Sequence, residues 1–139
     1  MFITHLISEK EVVMAKRLEE PASLKFHRDA FEYAKELIKQ GKVNCDVHVW
    51  TVDQPTPADE DAYLVDHNYI DYGKWFLATH EGTATDTKEH YEFPIGNFKE
   101  IYRAGVIAAK ARAGQFKHHE VEKAADELLE MIDKEVCKA

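Results

Sequence analysis

Residues 97–135 decide the fold, and they read NFKEIYRAGVIAAKARAGQFKHHEVEKAADELLEMIDKE. From residue 119 to about 135, apolar side chains recur every three or four positions, with glutamates and lysines between them, as on one face of a helix. Before it, Asn97 followed by Glu100 resembles a capping box and predicts a helix that continues until Gly114. Since the connection is short, we expect an antiparallel helical hairpin.

The first helix of this hairpin is rich in small side chains, which allow a neighbouring helix to approach closely. These residues are Ala104, Gly105, Ala108, Ala109 and Ala111. A close approach of this kind predicts self-association into a homo-oligomer through this helix, with the start of the chain as the alternative contact.

Residues 23–40 contain the other long helical pattern, and Gly41 is placed to end that helix in a left-handed cap. Downstream, the alternating, β-branched residues 46–52 predict a short strand. Thr56 followed by Pro57 and Asp59 predicts the start of a helix that runs to about Asp66.

Two further short strands are predicted at residues 74–78 and 90–93, on either side of a polar loop. A helix through residues 72–77 is the competing interpretation. The fold class is therefore α+β and mostly α, with four to five helices, a C-terminal antiparallel helical hairpin and a small two- or three-stranded β element in the middle.

The length of 139 residues predicts a single domain. Within it, residues 1–22 are an N-terminal extension or a first helix. Residues 23–89 hold a helix and an acidic, aromatic segment, and residues 90–139 form the C-terminal hairpin module. Hydrophobic residues make up 45% of the chain, which is enough for a folded core.

The overall charge and the cysteines limit the function classes. A net charge of −8 repels phosphate backbones, so nucleic acid is not an expected partner. Cys45 and Cys137 have neither the CxxC spacing of a metal or redox site nor the density of a disulfide scaffold, so free thiols in a reducing cytoplasm are expected. With no signal-peptide pattern and no apolar run long enough for a membrane span, a cytoplasmic location is predicted.

The negative charge is concentrated in residues 46–92, which hold 11 acidic residues and two lysines. Aromatic residues and histidines are interleaved with these acids. Aromatic side chains in an acidic surrounding are suited to a basic protein segment, so the segment predicts a docking surface for a basic protein partner. The candidate binding residues are His67, Tyr69, Asp71, Tyr72, Trp75, His80, Glu81 and His90.

The alternative is a metal-dependent or acid-base enzyme that uses histidines and carboxylates of the same segment. Any metal would be held by His48, His67, His80 and His90, since imidazoles and carboxylates are common zinc and iron ligands. However, the chain has no HExxH, no GxSxG, no Walker loop and no dinucleotide GxGxxG. No cofactor is therefore predicted, and the sequence favours an interaction or accessory module over an enzyme.

One stretch carries a resemblance to known proteins. Tyr91, Phe93, Pro94 and Gly96, followed by the pattern Arg103, Gly105, Ala108-Ala109-Lys110 and then Glu122 to Leu129, are similar to a C-terminal module of uncharacterised bacterial proteins that also occurs in phage-derived ones. Shorter likenesses occur at residues 55–60 and 72–77. Asn97 and Tyr102 depart from the pattern, where Asp and His are usual. The resemblance implies the helical hairpin and its boundary, and no reaction.

Overall fold

The computed structural model describes residues 23–47 and 50–138. In these residues it contains six α-helices, which are α1 Arg28–Lys39, α2 Trp50–Asp53, α3 Pro57–Asp66, α4 Tyr69–Gly73, α5 Arg103–Gln115 and α6 His119–Glu135. The strands are β1 Leu24–Phe26, β2 Val43–Asn44, β3 Phe76–His80, β4 Tyr91–Pro94 and β5 Ile101–Tyr102. The α+β, mostly α fold is confirmed, whereas the prediction for residues 1–22 lies outside the described residues.

The strands form two small sheets. The first has the order β1-β3-β4 and is antiparallel, with Leu24 opposite His80 and Phe76 opposite Pro94. In the second, β2 and β5 run parallel, with Val43 opposite Ile101. The predicted strands near residues 74–78 and 90–93 are thus confirmed as β3 and β4, while the short helix α4 ends just before β3.

Helix α1 begins five residues later than predicted, because Leu24, Lys25 and Phe26 pair with β3 as an edge strand. Its end follows the prediction. Gly41 has a φ of 76°, and the amides of Gly41 and Lys42 donate to the carbonyls of Ile38 and Leu37 at 2.9 Å each. This double hydrogen bond is the Schellman motif.

The strand predicted over residues 46–52 was wrong. Trp50–Asp53 is one turn of helix, and Asp46 and Val47 belong to no strand. The alternation was misleading because the β-branched residues Val47 and Val52 are exposed in the structure and belong to no buried strand face. The strand in this region is instead β2, which precedes it.

The C-terminal hairpin is confirmed, with a different start. Ile101 and Tyr102 pair with β2, so α5 begins at Arg103 instead of Asn97, and it continues past Gly114 to Gln115. Two ion pairs fix the antiparallel alignment of the helices: Arg103 Nε to Asp133 Oδ1 and Lys110 Nζ to Asp126 Oδ1, both at 2.7 Å. Helix α6 has the predicted bounds.

The core lies between the hairpin, α1 and the inner face of the three-stranded sheet. Helix α6 supplies Val121, Ala125, Leu128 and Ile132, each with no exposed surface. The other large side chains that are nearly or fully buried are Phe31, Leu37, Ile38, Tyr72, Trp75, Phe76, Leu77, Phe93, Ile95, Ile101 and Val106. No helix of the described residues is long and apolar enough to cross a membrane.

The prediction of free thiols was wrong. Cys45, directly after β2, is bonded to Cys137, two residues after the end of α6, with the two Cα atoms 5.5 Å apart. The folded chain brings together two cysteines 92 positions apart, which no spacing rule detects. A bonded cysteine pair gives no support to the predicted reducing cytoplasm.

The Arg103–Asp133 pair predicts a dependence of stability on pH. The hydrogen bond from Arg103 lowers the pKa of Asp133 below its ordinary value of 3.8. A lowered pKa in the folded state stabilises the fold above about pH 4, and this stabilisation is lost as the pH falls further. In urea unfolding at pH 7, Asp133→Asn should be less stable than the wild type by less than about 1 kcal/mol, because the pair is partly exposed. This difference should shrink below about pH 4. A difference that stays constant down to pH 2 would contradict the assignment, and Glu127→Gln on the same helix is the control.

Candidate functional site

Helix α3 lies on the surface and is held at its start by a capping box. The Thr56 hydroxyl accepts a hydrogen bond from the Asp59 amide at 3.1 Å, and the Asp59 carboxylate accepts one from the Thr56 amide at 3.0 Å. The predicted helix start at Thr56 is thereby confirmed. None of the residues of α3 is buried, and only Tyr63 and Leu64 pack partly against the core.

Three rings are stacked beside α3. The Tyr63 ring lies 3.8 Å from the His67 ring with an interplanar angle of 2°, and 4.5 Å from the Phe98 ring with an angle of 16°. His67 Nδ1 donates to the Tyr63 carbonyl at 2.9 Å. Phe98 has a φ of 69°, a conformation unusual for a bulky side chain, which turns the chain at this point. The stack connects α3 to the turn before β5.

A cleft of about 490 Å³ opens between α3 and this turn. Its α3 side consists of Asp59, Ala62, Tyr63 and His67, and its other side is formed by residues 97–99 and Tyr102. Asp53 and Pro55 complete the lining. The Asn97 side chain shapes the turn, because its Oδ1 accepts hydrogen bonds from the amides of Lys99 and Glu100 at 3.0 and 2.9 Å.

Two carboxylates and one ammonium group give the cleft its charge, namely Asp53, Asp59 and Lys99. The backbone hydrogen bond from Thr56, followed by that from its hydroxyl, lowers the pKa of Asp59, so this carboxylate keeps its charge in mildly acidic solution. Burial raises the pKa of Tyr63 and of Tyr102, so both phenols stay neutral. The lining is therefore aromatic and slightly acidic.

Exposed apolar side chains are concentrated in the same part of the chain. Five large hydrophobic side chains are exposed among the described residues, and four of them lie between residues 47 and 70. These four are Val47 at 95%, Val52 at 76%, Val65 at 80% and Ile70 at 72%; the fifth is Ile107 at 43%. The acidic segment thus also carries most of the exposed large hydrophobic side chains described.

Two of the predicted binding residues belong to the core. Tyr72 is 1% exposed and Trp75 is 2% exposed, so neither offers a surface to a partner. Burial, followed by the nearby Glu60 carboxylate, raises the pKa of Tyr72. Tyr69 is half-buried against Tyr72 and Tyr91, with ring centroids 5.5 and 6.4 Å away. The Asp71 amide donates to Asn68 Oδ1 at 2.9 Å, which caps α4.

Two predicted histidines meet in a polar network at the β3–β4 connection. His80 Nε2 donates to Glu92 at 2.8 Å, and the Thr83 hydroxyl bridges the His80 carbonyl at 2.9 Å and His90 Nδ1 at 2.8 Å. Glu81 adjoins this network with an exposed side chain, and its amide donates to the Ser23 carbonyl at 2.7 Å.

The four histidines predicted as possible metal ligands are not placed as one set. His67 stacks on Tyr63 beside the cleft, whereas His80 is bonded to Glu92 at the β3–β4 connection. His48 lies outside the described residues. Over the part of the chain that the structure describes, no group of three or more His, Cys, Asp or Glu side chains is arranged to hold a metal ion.

Apart from His67, the lining of the cleft was not among the predicted binding residues. The sequence accounts for Asp59 as part of a helix start, and it predicts Asn97 and Phe98 at the start of a helix that begins only at Arg103 in the structure. The signal in the sequence is the spacing of Asp59, Ala62, Tyr63 and His67, which places them along one side of a helix. Which residues form the opposite wall depends on tertiary contacts.

The comparisons with known proteins assign no family. No family model, no curated protein and no solved structure matches this chain. The resemblance of residues 90–133 to a bacterial and phage-related module stays a prediction.

Proposed function

We propose that the protein is an interaction module that docks a basic segment of a partner protein. The docking face comprises Val52, α3, Ile70 and the cleft beside α3. The single observation that carries the proposal is the coincidence of exposed apolar side chains with acidic charge: three of the five exposed large hydrophobic residues described, Val52, Val65 and Ile70, belong to this face, which lies in the segment with 11 acids and two lysines.

Each part of this surface has a physical role in binding. Exposed Val65 and Ile70 contribute free energy when a partner covers them, about 1.5–3 kcal/mol each at full burial. Lys88 pairs with Glu60 and Asp61 of α3, but the face carries more acids than cations. This net negative charge attracts a positively charged segment, raises its rate of association and repels acidic competitors. A partner segment that combines Lys or Arg with apolar residues fits both properties.

An array of 15-residue synthetic peptides tests the proposal. The peptides share apolar content and differ in net charge from −5 to +5. Cationic peptides should bind the protein in 50 mM salt and anionic ones should not. Replacing Val65 and Ile70 together by serine should weaken the binding of cationic peptides by about tenfold. A tenfold change in affinity corresponds to about 1.4 kcal/mol, which the burial of roughly half of the apolar surface of these two side chains supplies.

The matched control is Ile107→Ser, which removes an exposed apolar side chain outside the docking face. It should leave the binding of cationic peptides unchanged. Binding that is independent of peptide charge, or that falls equally in the Ile107→Ser protein, would refute the proposed docking face.

Self-association is a second part of the proposal. An apolar groove of about 280 Å³ runs along the outer side of α5, where Trp50 and Val47 face Ala104, Ile107 and Ala108. The small side chains there favour close contact with a second copy.

The enzyme alternative has weaker support. The His80–Glu92 pair has the distance of an oriented imidazole, but the Thr83 hydroxyl donates to the His80 carbonyl and accepts from His90 Nδ1, so His90 does not activate it as a base would. However, the cleft beside α3 is lined by none of these four residues, and a reaction needs a space for its substrate next to the reacting groups. Ordering of the β3–β4 connection accounts for the network.

A further inference from the structure

We infer that the cleft between α3 and residues 97–102 binds an extended stretch of about four residues with an arginine at the end marked by Asp53 and Asp59. The inference rests on the proposed function and specifies which chemistry the partner presents. It follows from the length of the cleft, the order of the groups along it and the rigidity of its walls.

The length of the cleft sets the length of the ligand. Its α3 wall extends from Asp59 to His67, a rise of about 12 Å at 1.5 Å per residue. An extended chain advances about 3.3 Å per residue, so about four residues span this distance. A volume of about 490 Å³ is also within the range of sites that enclose small ligands.

The groups along the cleft are ordered by chemistry. Asp59 stands at the first turn of α3, Ala62 and Tyr63 follow on the next turn, and His67 closes the far end. Opposite them lie the rings of Phe98 and Tyr102. A bound chain thus meets a negative charge at one end, apolar surface in the middle and a ring nitrogen at the other end, which determines its direction.

Arginine fits the acidic end better than lysine does. A guanidinium group is flat, carries five donors and lies against aromatic rings, whereas an ammonium group is a strongly hydrated point charge. The Thr56 amide donates to Oδ2 of Asp59 in the capping box, so the other carboxylate oxygen, Oδ1, is the acceptor that a guanidinium would use. One guanidinium edge can donate to that oxygen while its stem covers Pro55 and Tyr102.

Both walls are held before any ligand arrives. The capping box fixes the start of α3, the two hydrogen bonds to Asn97 fix the opposite turn, and the His67–Tyr63–Phe98 stack joins the walls. A site that is already ordered loses little conformational entropy on binding, so a short peptide with few contacts suffices for measurable affinity.

The test is an NMR titration of the ¹⁵N-labelled protein with three acetylated, amidated peptides. Their sequences are Arg-Ala-Leu-Ala, Lys-Ala-Leu-Ala and citrulline-Ala-Leu-Ala, where citrulline is the uncharged isostere of arginine. The amides of Ala62, Tyr63, Phe98 and Lys99 should shift on binding. The arginine peptide should bind about fivefold or more tightly than the citrulline peptide, with the lysine peptide between them.

Charge variants supply the matched controls. Asp59→Asn keeps an oxygen that accepts the Thr56 amide, and it should weaken binding of the arginine peptide by about fivefold. Glu130→Gln, the same change on the exposed side of α6, should have no effect. Lys99→Gln removes a like charge and should tighten binding, whereas Lys123→Gln on α6 should not.

Equal affinities for the arginine and citrulline peptides would overturn the inference, as would shifts confined to residues outside the cleft. In either case the proposed function would still stand if the array prefers cationic peptides and depends on Val65 and Ile70. An array without any preference for cationic peptides would remove the proposed function itself.

Discussion

Replacing Cys45 and Cys137 together by serine is expected to lower the melting temperature by about 10–15 °C. The disulfide closes a loop between positions 92 apart, and a cross-link of this span removes a large share of the conformational entropy of the unfolded chain. The loop-entropy relation gives a loss of roughly 4–5 kcal/mol for such a span. For a chain of this length, that loss corresponds to the expected shift in melting temperature.

The measurement is thermal unfolding followed by circular dichroism, with and without dithiothreitol. The wild type should show the lower melting temperature only after reduction, and the double serine variant should show it under both conditions. If reduction leaves the wild-type melting temperature unchanged while mass spectrometry confirms free thiols, the bond does not stabilise the fold.

The second large effect is expected for Trp75→Ala, which should cost about 3–5 kcal/mol in urea unfolding. The Trp75 ring is 2% exposed and contacts the Tyr33 and Phe98 rings at centroid distances of 5.6 and 5.9 Å. It also fills the space beside Gly96, where a Cβ atom would overlap the indole ring and the Glu100 carbonyl. Removal of the ring leaves a cavity, and Gly96 has no side chain with which to fill it.

Trp50→Ala is the matched control, since Trp50 is the second tryptophan and is only half-buried. Its ring packs on Gly105 and lies 5.4 Å from the Tyr102 ring, at the edge of the core. Its loss should cost less than about 2 kcal/mol, because water fills the vacated site without leaving a void. Equal losses for the two variants would show that Trp75 is not the central aromatic residue of the core.

Periodicity was sufficient for the helices that bury one face. Helix α6 has the bounds that its apolar spacing predicts, and the end of α1 at Gly41 follows from a residue with a strong local preference. The errors concern short segments whose structure is determined by distant partners. Ile101 and Tyr102 look like helix until β2 pairs with them, and Leu24 to Phe26 become a strand because β3 lies beside them.

The site was accessible to sequence reasoning only in part. The acidic, aromatic character of residues 46–92 and the capping of α3 could be recognised along the chain. The sequence does not show which aromatic rings are buried. Trp75 and Tyr63 belong to the same acidic, aromatic segment, but Trp75 fills the core and Tyr63 borders the cleft. The cleft itself exists because Phe98 stacks against Tyr63, a contact across 35 positions of sequence.

The surface position of α3 separates two tasks within one chain. None of its residues is buried, and apart from Tyr63 and Leu64, which pack partly on the core, the residues that would choose a partner are different from those that keep the protein folded. Substitutions along the exposed side of this helix are therefore nearly free of structural penalty. Such a helix can change its specificity rapidly over evolutionary time, or be redesigned for a new ligand, while the hairpin and the sheet beneath it stay the same.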